Sequence, residues 1–314
     1  MGSTLPKLSA LPMSHMLATD LQETNEYRFS RKHVDKRVDE AIRANDESEA
    51  KVHLGVQYLE EWLTVDHYPS KNKRLAQLEI LKLEELVREV FISTAHCQLP
   101  ELFVSVTAQL AFSMGFDDHR DSTITMAEIV AVLCKTDAFD ISKEDKHASL
   151  KVQSRLRLPD ELLESIAECK YVPPMVCKPG DIGSNYESPY LTFNDPLILG
   201  KNNTHAGDLC LDVVNTQNQT AMTLNLEFLC SVEEQPTHAL DTTEKIRQWN
   251  QFKLESYATY DMLNKQGNEF WLTHKYDKRG RQYAQGYHVT TQGSAFKKAM
   301  LELHHQELIE GVPV

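Results

Sequence analysis

The chain has 314 residues, 41% apolar and 25% charged, with a formal net charge of −13. That length suits two domains with a sizeable core, and the composition is globular rather than disordered. The acidity excludes a protein that coats nucleic acid over its whole surface, and no apolar run approaches the roughly 20 residues a membrane span needs.

The first stretch, Met1 to Met16, carries no periodic pattern and no basic-then-apolar secretory start. Ser14-His15-Met16 is the kind of junction cloning leaves. Residues 1–26 are therefore expected to be a flexible lead. A helical domain is predicted over 27–170. Within it, 31–64 is charged and amphipathic, with Val34, Val38, Ala41 and Ile42 on one face. Tyr68-Pro69-Ser70 breaks the pattern. A periodic helix is predicted over 72–93, carrying Leu75, Leu78, Ile80, Leu81, Leu86 and Val87. Pro100 opens another that runs to Met114, and Gly115 stops it. A helix over 124–135, a charged connector from Lys143 to Lys151 and a short helix opened by Pro159 complete the domain.

Two metal-like patterns in this chain fail on inspection. Asp117 to Glu128 imitates a twelve-residue calcium loop, but His119 stands at its third position and Ser122 at the sixth, where glycine is needed. His304 and His305 are adjacent, so on a helix they point about 100° apart and chelate poorly. The six cysteines form no C-x-x-C pair and read as reduced core residues. No metal ligand is expected.

The texture changes at Tyr171. Residues 171–206 are rich in proline, glycine and asparagine, which places a domain boundary near 170 and loops with short strands beyond it. Helices are predicted at 207–232 and 242–266. A strand–turn–strand follows around 270–289, then a final helix over 294–309. The expected fold class is α+β and mostly α.

The strand–turn–strand holds the most specific element, Asp277-Lys278-Arg279-Gly280-Arg281-Gln282-Tyr283, trailed by Gln292-Gly293 and Lys297-Lys298. Gly280 lacks a Cβ and lets the backbone approach a strand of nucleic acid. Arg279 and Arg281 offer planar donors for phosphate, Asp277 can hold one of them, and Tyr283 can stack. Residues 271–298 carry six Lys or Arg against one acid, a local excess of five positive charges. Phosphate binding needs cations only where the backbone passes.

The Asp-x-x-Gly-Arg element resembles the template-strand motif of the single-subunit RNA polymerases of phages and mitochondria. The resemblance continues in Gln292-Gly293 and Lys298, in the Asn215…Thr220-Ala221…Asn225 segment, and in Pro174-Met175-Val176 with Tyr190-Leu191-Thr192. It covers roughly 170–314 in matching order. It implies that 171–314 is the front part of a right-hand polymerase core, with Asp277, Arg279, Gly280, Arg281, Tyr283, Gln292, Gly293 and Lys298 on template strand and RNA–DNA hybrid. The family holds its two Mg²⁺ ions with an Asp-x-Ser-Gly and a His-Asp element and its nucleotide with Lys-x-x-x-Tyr-Gly; none of these occurs in the sequence. No catalytic residue is thus expected here.

The nearest family arrangement is the split, two-subunit enzyme of enquatro-type bacteriophages, and the chain is similar to its small, N-terminal subunit. The resemblance implies a large partner subunit that carries the Mg²⁺ site, a possible recruiting factor, and action in the cytoplasm of an infected bacterium. Phe296, Met300 and Leu303 are the candidate partner contacts. The polar end Glu310 to Val314 reads as a natural terminus. The alternatives are a fragment of a one-chain polymerase and a non-catalytic helical protein that binds nucleic acid or regulates.

Overall fold

The computed structural model describes residues 15–143, 148–200 and 203–306. The fold is α+β and mostly helical. The chain divides into two units: residues 31–170 form one, and the other joins the N-terminal stretch through residue 30 to 171–314. No helix among the described residues is long and apolar enough to cross a membrane.

Helix α1 (His15–Phe29) opens the discontinuous unit. The sequence reading left residues 1–26 as a flexible lead; from residue 15 onward they are helical. α1 has no long apolar stripe, though Ala18 and Leu21 pack against the unit's apolar clusters. It is held by polar side chains with distant partners: Gln22 accepts from the Val176 N–H at 2.9 Å, and Asn25 exchanges amide bonds of 2.9 and 3.1 Å with Gln266. Glu26 is completely buried, with carboxylate oxygens accepting from the N–H groups of Leu191 (2.9 Å) and Thr192 (2.8 Å), the Thr192 hydroxyl (2.5 Å) and the Gln22 amide (2.8 Å).

The 31–170 unit packs α2 (Arg31–Ala44), α3 (Asp46–Thr64), α4 (Pro69–Leu75), α5 (Leu83–Ala95), α6 (Phe103–Ala111), α7 (His119–Leu133) and α8 (Asp160–Glu168) around one core. Val34, Val38 and Ile42 bury the predicted face of α2. Asn45 ends that helix and caps α3, its Oδ1 accepting from Ser48 N–H at 2.9 Å. The helix predicted over 72–93 is interrupted: a 3₁₀ turn at Ala76–Ile80 separates α4 from α5. Strands β1 (Glu101–Leu102), β2 (Phe139–Ser142) and β3 (Lys151–Ser154) form an antiparallel sheet in the order β1-β3-β2. The calcium-like stretch is the start of α7. Asp118 caps that helix, and Glu128 bonds Arg74 at 3.0 Å and Lys71 at 3.2 Å.

Gly55 on α3 lies tight against α5 and α7. A Cβ there would lie 2.9 Å from Val87 Cγ1 and 3.0 Å from Leu133 Cδ2. Gly55→Val is expected to cost about 1–3 kcal/mol through overpacking. Thermal unfolding checks this; a variant that melts with the wild type would refute the tight packing.

In the discontinuous unit, β4 (Ala221–Leu224) lies between β5 (Phe270–Trp271) and β8 (Leu301–Leu303), antiparallel to both. Flanking it are α9 (Leu211–Asn218) and α10 (Leu226–Ser231). The single helix predicted over 207–232 is therefore two helices around a strand. α11 (Thr243–Lys265) places Tyr260 and Leu263 against Phe270, Val289 and Met300. Positive φ at Gly267 (104°) and Asn268 (57°) ends it, and the Asn268 amide brackets Leu224 with two 3.0 Å bonds, extending the sheet.

The final helix is shorter than predicted. α12 (Ala295–Ala299) stops at Met300, whose N–H bonds Phe296 and whose carbonyl accepts from Asn225. Residues 301–303 then pair with β4 as β8. The portion predicted helical over 307–309 lies outside the described residues, as do Glu310 to Val314.

Candidate nucleic-acid interface

Strands β6 (His274–Tyr276) and β7 (Gln282–Ala284) pair antiparallel, with Lys275 opposite Tyr283 and Tyr276 opposite Gln282. The loop between them has a specific geometry. Gly280 N–H bonds the Asp277 carbonyl at 3.0 Å, Asp277 N–H bonds the Arg281 carbonyl at 2.8 Å, and Gly280 has φ = 78°. This is a type I turn closed by a glycine bulge. Asp277 Oδ1 accepts from the N–H groups of Arg279 (2.9 Å) and Arg281 (3.0 Å). Its Oδ2 takes Arg281 Nε at 2.8 Å and Nη2 at 2.7 Å.

The geometry revises the reason for the glycine. Nothing lies within 4 Å of a Cβ built on Gly280, so the left-handed φ of the bulge, rather than crowding, demands it. Asp277 is likewise the internal clasp of the turn. The backbone N–H of Arg281, then its guanidinium, hold the Asp277 carboxyl below its ordinary value, and the bond to Asp277 raises Arg281. Arg281 also lies 5.6 Å from the Tyr283 ring centre. Arg279 is 73% exposed, its Nε 3.5 Å from Asp277 Oδ2.

Gln292 belongs to the same ribbon. Its side chain accepts from Ala284 N–H at 3.1 Å and donates to the Gln282 carbonyl at 3.0 Å, acting as a short third strand on β7. Gly293 is tight, since a Cβ there would meet Lys297 Cδ at 2.6 Å. Lys298 is exposed on α12. Of the six cations counted from sequence, Lys275 pairs with Asp195, Arg281 and, at 3.5 Å, Arg279 with Asp277, and Lys297 is buried; Lys278 and Lys298 are exposed.

The candidate partner contacts need correction. Met300 is wholly buried in this unit's own core, because it sits where α12 meets β8. Phe296 is half-buried, its ring 5.3 Å from that of Phe228. Leu303, 56% exposed, alone presents a large apolar surface.

The segments quoted for the resemblance bond along the stretch from β5 to β7 that leads into this ribbon, with Asn215 an exception. Met175 bridges Trp271 through bonds of 2.9 and 2.8 Å, and the Tyr190 hydroxyl meets Thr273 Oγ1 at 3.1 Å. Asn218 Oδ1 accepts from His274 Nδ1 at 3.0 Å, while Asn215 bonds Ile182 at both its amide atoms. Burial pushes His274 down to about 4. A buried neutral histidine must charge when the chain unfolds below its ordinary value of 6.5, so the unfolded state takes up the proton first. Stability is expected to fall as pH drops from 6.5 to about 4, by on the order of 2–3 kcal/mol. His274→Gln should flatten that segment of a stability-versus-pH curve; an unchanged curve would remove His274 as its source.

Sequence reasoning passed over Lys297, which is buried on α12 with its Nζ donating to the Tyr287 carbonyl. The i, i+3 spacing to Met300 was the available signal, because it places Lys297 on the core side and Lys298 outside. Elsewhere, Cys169 Sγ lies 3.7 Å from His96 Nδ1, whose Nε2 meets Asp35 Oδ1 at 2.7 Å. The order imitates a thiol–imidazole–carboxylate triad. Burial pushes the Cys169 thiol up to about 11, however, and it caps the carboxyl end of α8, where the helix dipole opposes a thiolate. Among the described residues no group of three His, Cys, Asp or Glu side chains can hold a metal ion.

No family model matches the chain, and no curated protein matches it.

Proposed function

We propose that the chain is a nucleic-acid-binding subunit of a DNA-directed RNA polymerase of the single-subunit type, acting with a partner that supplies the nucleotidyl-transfer site. The observation that carries this reading is that four separated segments bond along one stretch, β5 to β7, which ends in an arginine-tipped ribbon. Met175, Tyr190, Asn218 and Gln292 each bond a residue of 271–284, in the order in which the polymerase motifs occur. The ribbon offers Lys278, Arg279 and Arg281 at its tip and Tyr283 on β7, cations for phosphate beside a ring for a base or sugar. The sequence holds neither the Asp-x-Ser-Gly nor the His-Asp element with which that family binds its two Mg²⁺ ions. No step of the transfer is therefore assigned to this chain; its part is to bind and orient template and hybrid. The right-hand core, the phage setting and the large partner belong to the same proposal.

The test is reconstitution. Purified chain with template, nucleotides and Mg²⁺ should make no RNA. Addition of a polypeptide carrying the Asp-x-Ser-Gly, Lys-x-x-x-Tyr-Gly and His-Asp elements should start synthesis and co-elute with the chain in sizing. RNA synthesis by the isolated chain, free of contaminating polymerase, would sink the proposal. Strand binding with no restored synthesis would leave a regulatory binding protein instead.

A further inference from the structure

Behind the ribbon, the same unit gathers an aromatic column that the polymerase reading does not use. The rings of Tyr171 and Tyr287 lie parallel, 3.9 Å between centres and 9° between planes. A ring at that distance fills one face of Tyr287. The Lys297 ammonium, 5.2 Å from the same ring centre, is left the other face. It also lies 5.1 Å from the Phe252 ring, which meets Tyr287 edge-on at 5.8 Å and 87°. His288 meets the edge of Tyr171 at 6.0 Å and 85°, and is fixed by Ser256 Oγ at 2.8 Å.

Two features of the column are unexplained by packing alone. Lys297 is about nine-tenths buried, and burial lowers its affinity for a proton. It donates to a carbonyl and lies over two ring faces, with the buried Glu234 carboxylate attracting its charge, an arrangement that holds Tyr287 in place. At the other end, Tyr171 remains 45% exposed although one face is covered by Tyr287 and one edge by His288. Nearly half of the Tyr171 surface, on a ring backed by a stack, is thus open to solvent.

We infer that the outer face of Tyr171 is a stacking platform for an unpaired base of single-stranded nucleic acid, held rigid by the Tyr287–Lys297–Phe252 column. Every base has a π-face, so such a platform is sequence-tolerant, and its rigidity spares the ordering cost of a mobile side chain. The ligand's identity rests on the nucleic-acid reading above; the platform itself rests on the column. DNA and RNA strands share the required chemistry.

Fluorescence anisotropy of the full chain with labelled single strands tests it, using a mixed-base DNA strand, the same sequence in RNA, and an abasic DNA strand of equal length. Tyr171→Leu is expected to weaken binding of the base-bearing strands roughly ten-fold and to leave the abasic strand unchanged. Tyr171→Phe should bind like wild type, which separates stacking from loss of a hydroxyl, and thermal melting of both variants checks folding. The salt slope should be unchanged in Tyr171→Leu, since no phosphate contact is lost, whereas Arg279→Ala should lower it by about one. Equal binding by Tyr171→Leu and wild type, or no binding of any base-bearing strand by wild type, overturns the platform. An unchanged slope in Arg279→Ala instead counts against the ribbon, so the two failures are told apart. Which strand binds more tightly assigns the platform to template or transcript.

Discussion

Glu26→Ala is expected to destabilise the discontinuous unit by about 3–5 kcal/mol, a large fraction of the stability of an ordinary domain. The Glu26 carboxylate is completely buried and receives two backbone N–H groups, a hydroxyl and a side-chain amide. Alanine takes the charged acceptor away from the N–H groups of Leu191 and Thr192, and each hydrogen bond to a charged group is worth about 1.5–3 kcal/mol. It also frees the joint between α1 and the segment 190–192. Glu26→Gln should be milder but still destabilising, because one oxygen becomes an NH₂ that faces donors. Chemical denaturation measures the loss, and amide exchange should show protection vanishing first at Leu191 and Thr192. Wild-type stability in Glu26→Ala would mean that α1 is not fastened there.

In the reconstituted enzyme, Arg281→Ala is expected to lower RNA synthesis about ten- to hundred-fold while sparing subunit assembly, the range of one lost charge-assisted contact. Arg281 spends Nε and Nη2 on Asp277, which fixes its direction and leaves the other guanidinium donors for a strand. Its deficit should be largest at low salt and shrink as salt rises, because the wild type has one more salt-sensitive phosphate contact to lose. Lys82→Ala, an exposed change on the other unit, serves as the control. Run-off synthesis on a primed single-stranded template, with assembly followed by sizing, reads the effect. If Arg281→Ala matches wild type at every salt concentration, the ribbon is a structural turn and the polymerase reading falls with it.

What the sequence made legible follows from the range of the forces involved. α11, capped by Thr242 and closed at Gly267, matches the predicted 242–266 within a residue because its signals are local. The Asp-x-x-Gly-Arg turn was likewise recognisable, since one short segment contains its own clasp. β4 and β8 were hidden inside predicted helices. Ala221–Leu224 and Leu301–Leu303 are strands because they pair with each other across about 80 residues, which no local pattern announces. α1 was missed for a related reason: Gln22, Asn25 and Glu26 look like a solvated polar face until Val176, Leu191 and Gln266 arrive to bond them. In the candidate site, the reading found the cations but could not tell which were already neutralised by Asp195 or Asp277. It also took Lys298 from the resemblance and passed over Lys297, and it carried the final helix through Met300, where the backbone turns into β8.

The interruption of one unit by the other has a consequence for biosynthesis. Helix α1 leaves the ribosome first, yet its partners at Val176, Leu191 and Gln266 are encoded after the whole of 31–170. At ordinary elongation rates of 5–20 residues per second, that delay is roughly 10–30 s. Through that interval the emerging helix carries an unmatched glutamate and two amides, groups that water solvates well. A polar seam keeps the waiting segment from aggregating, where an apolar one would invite it.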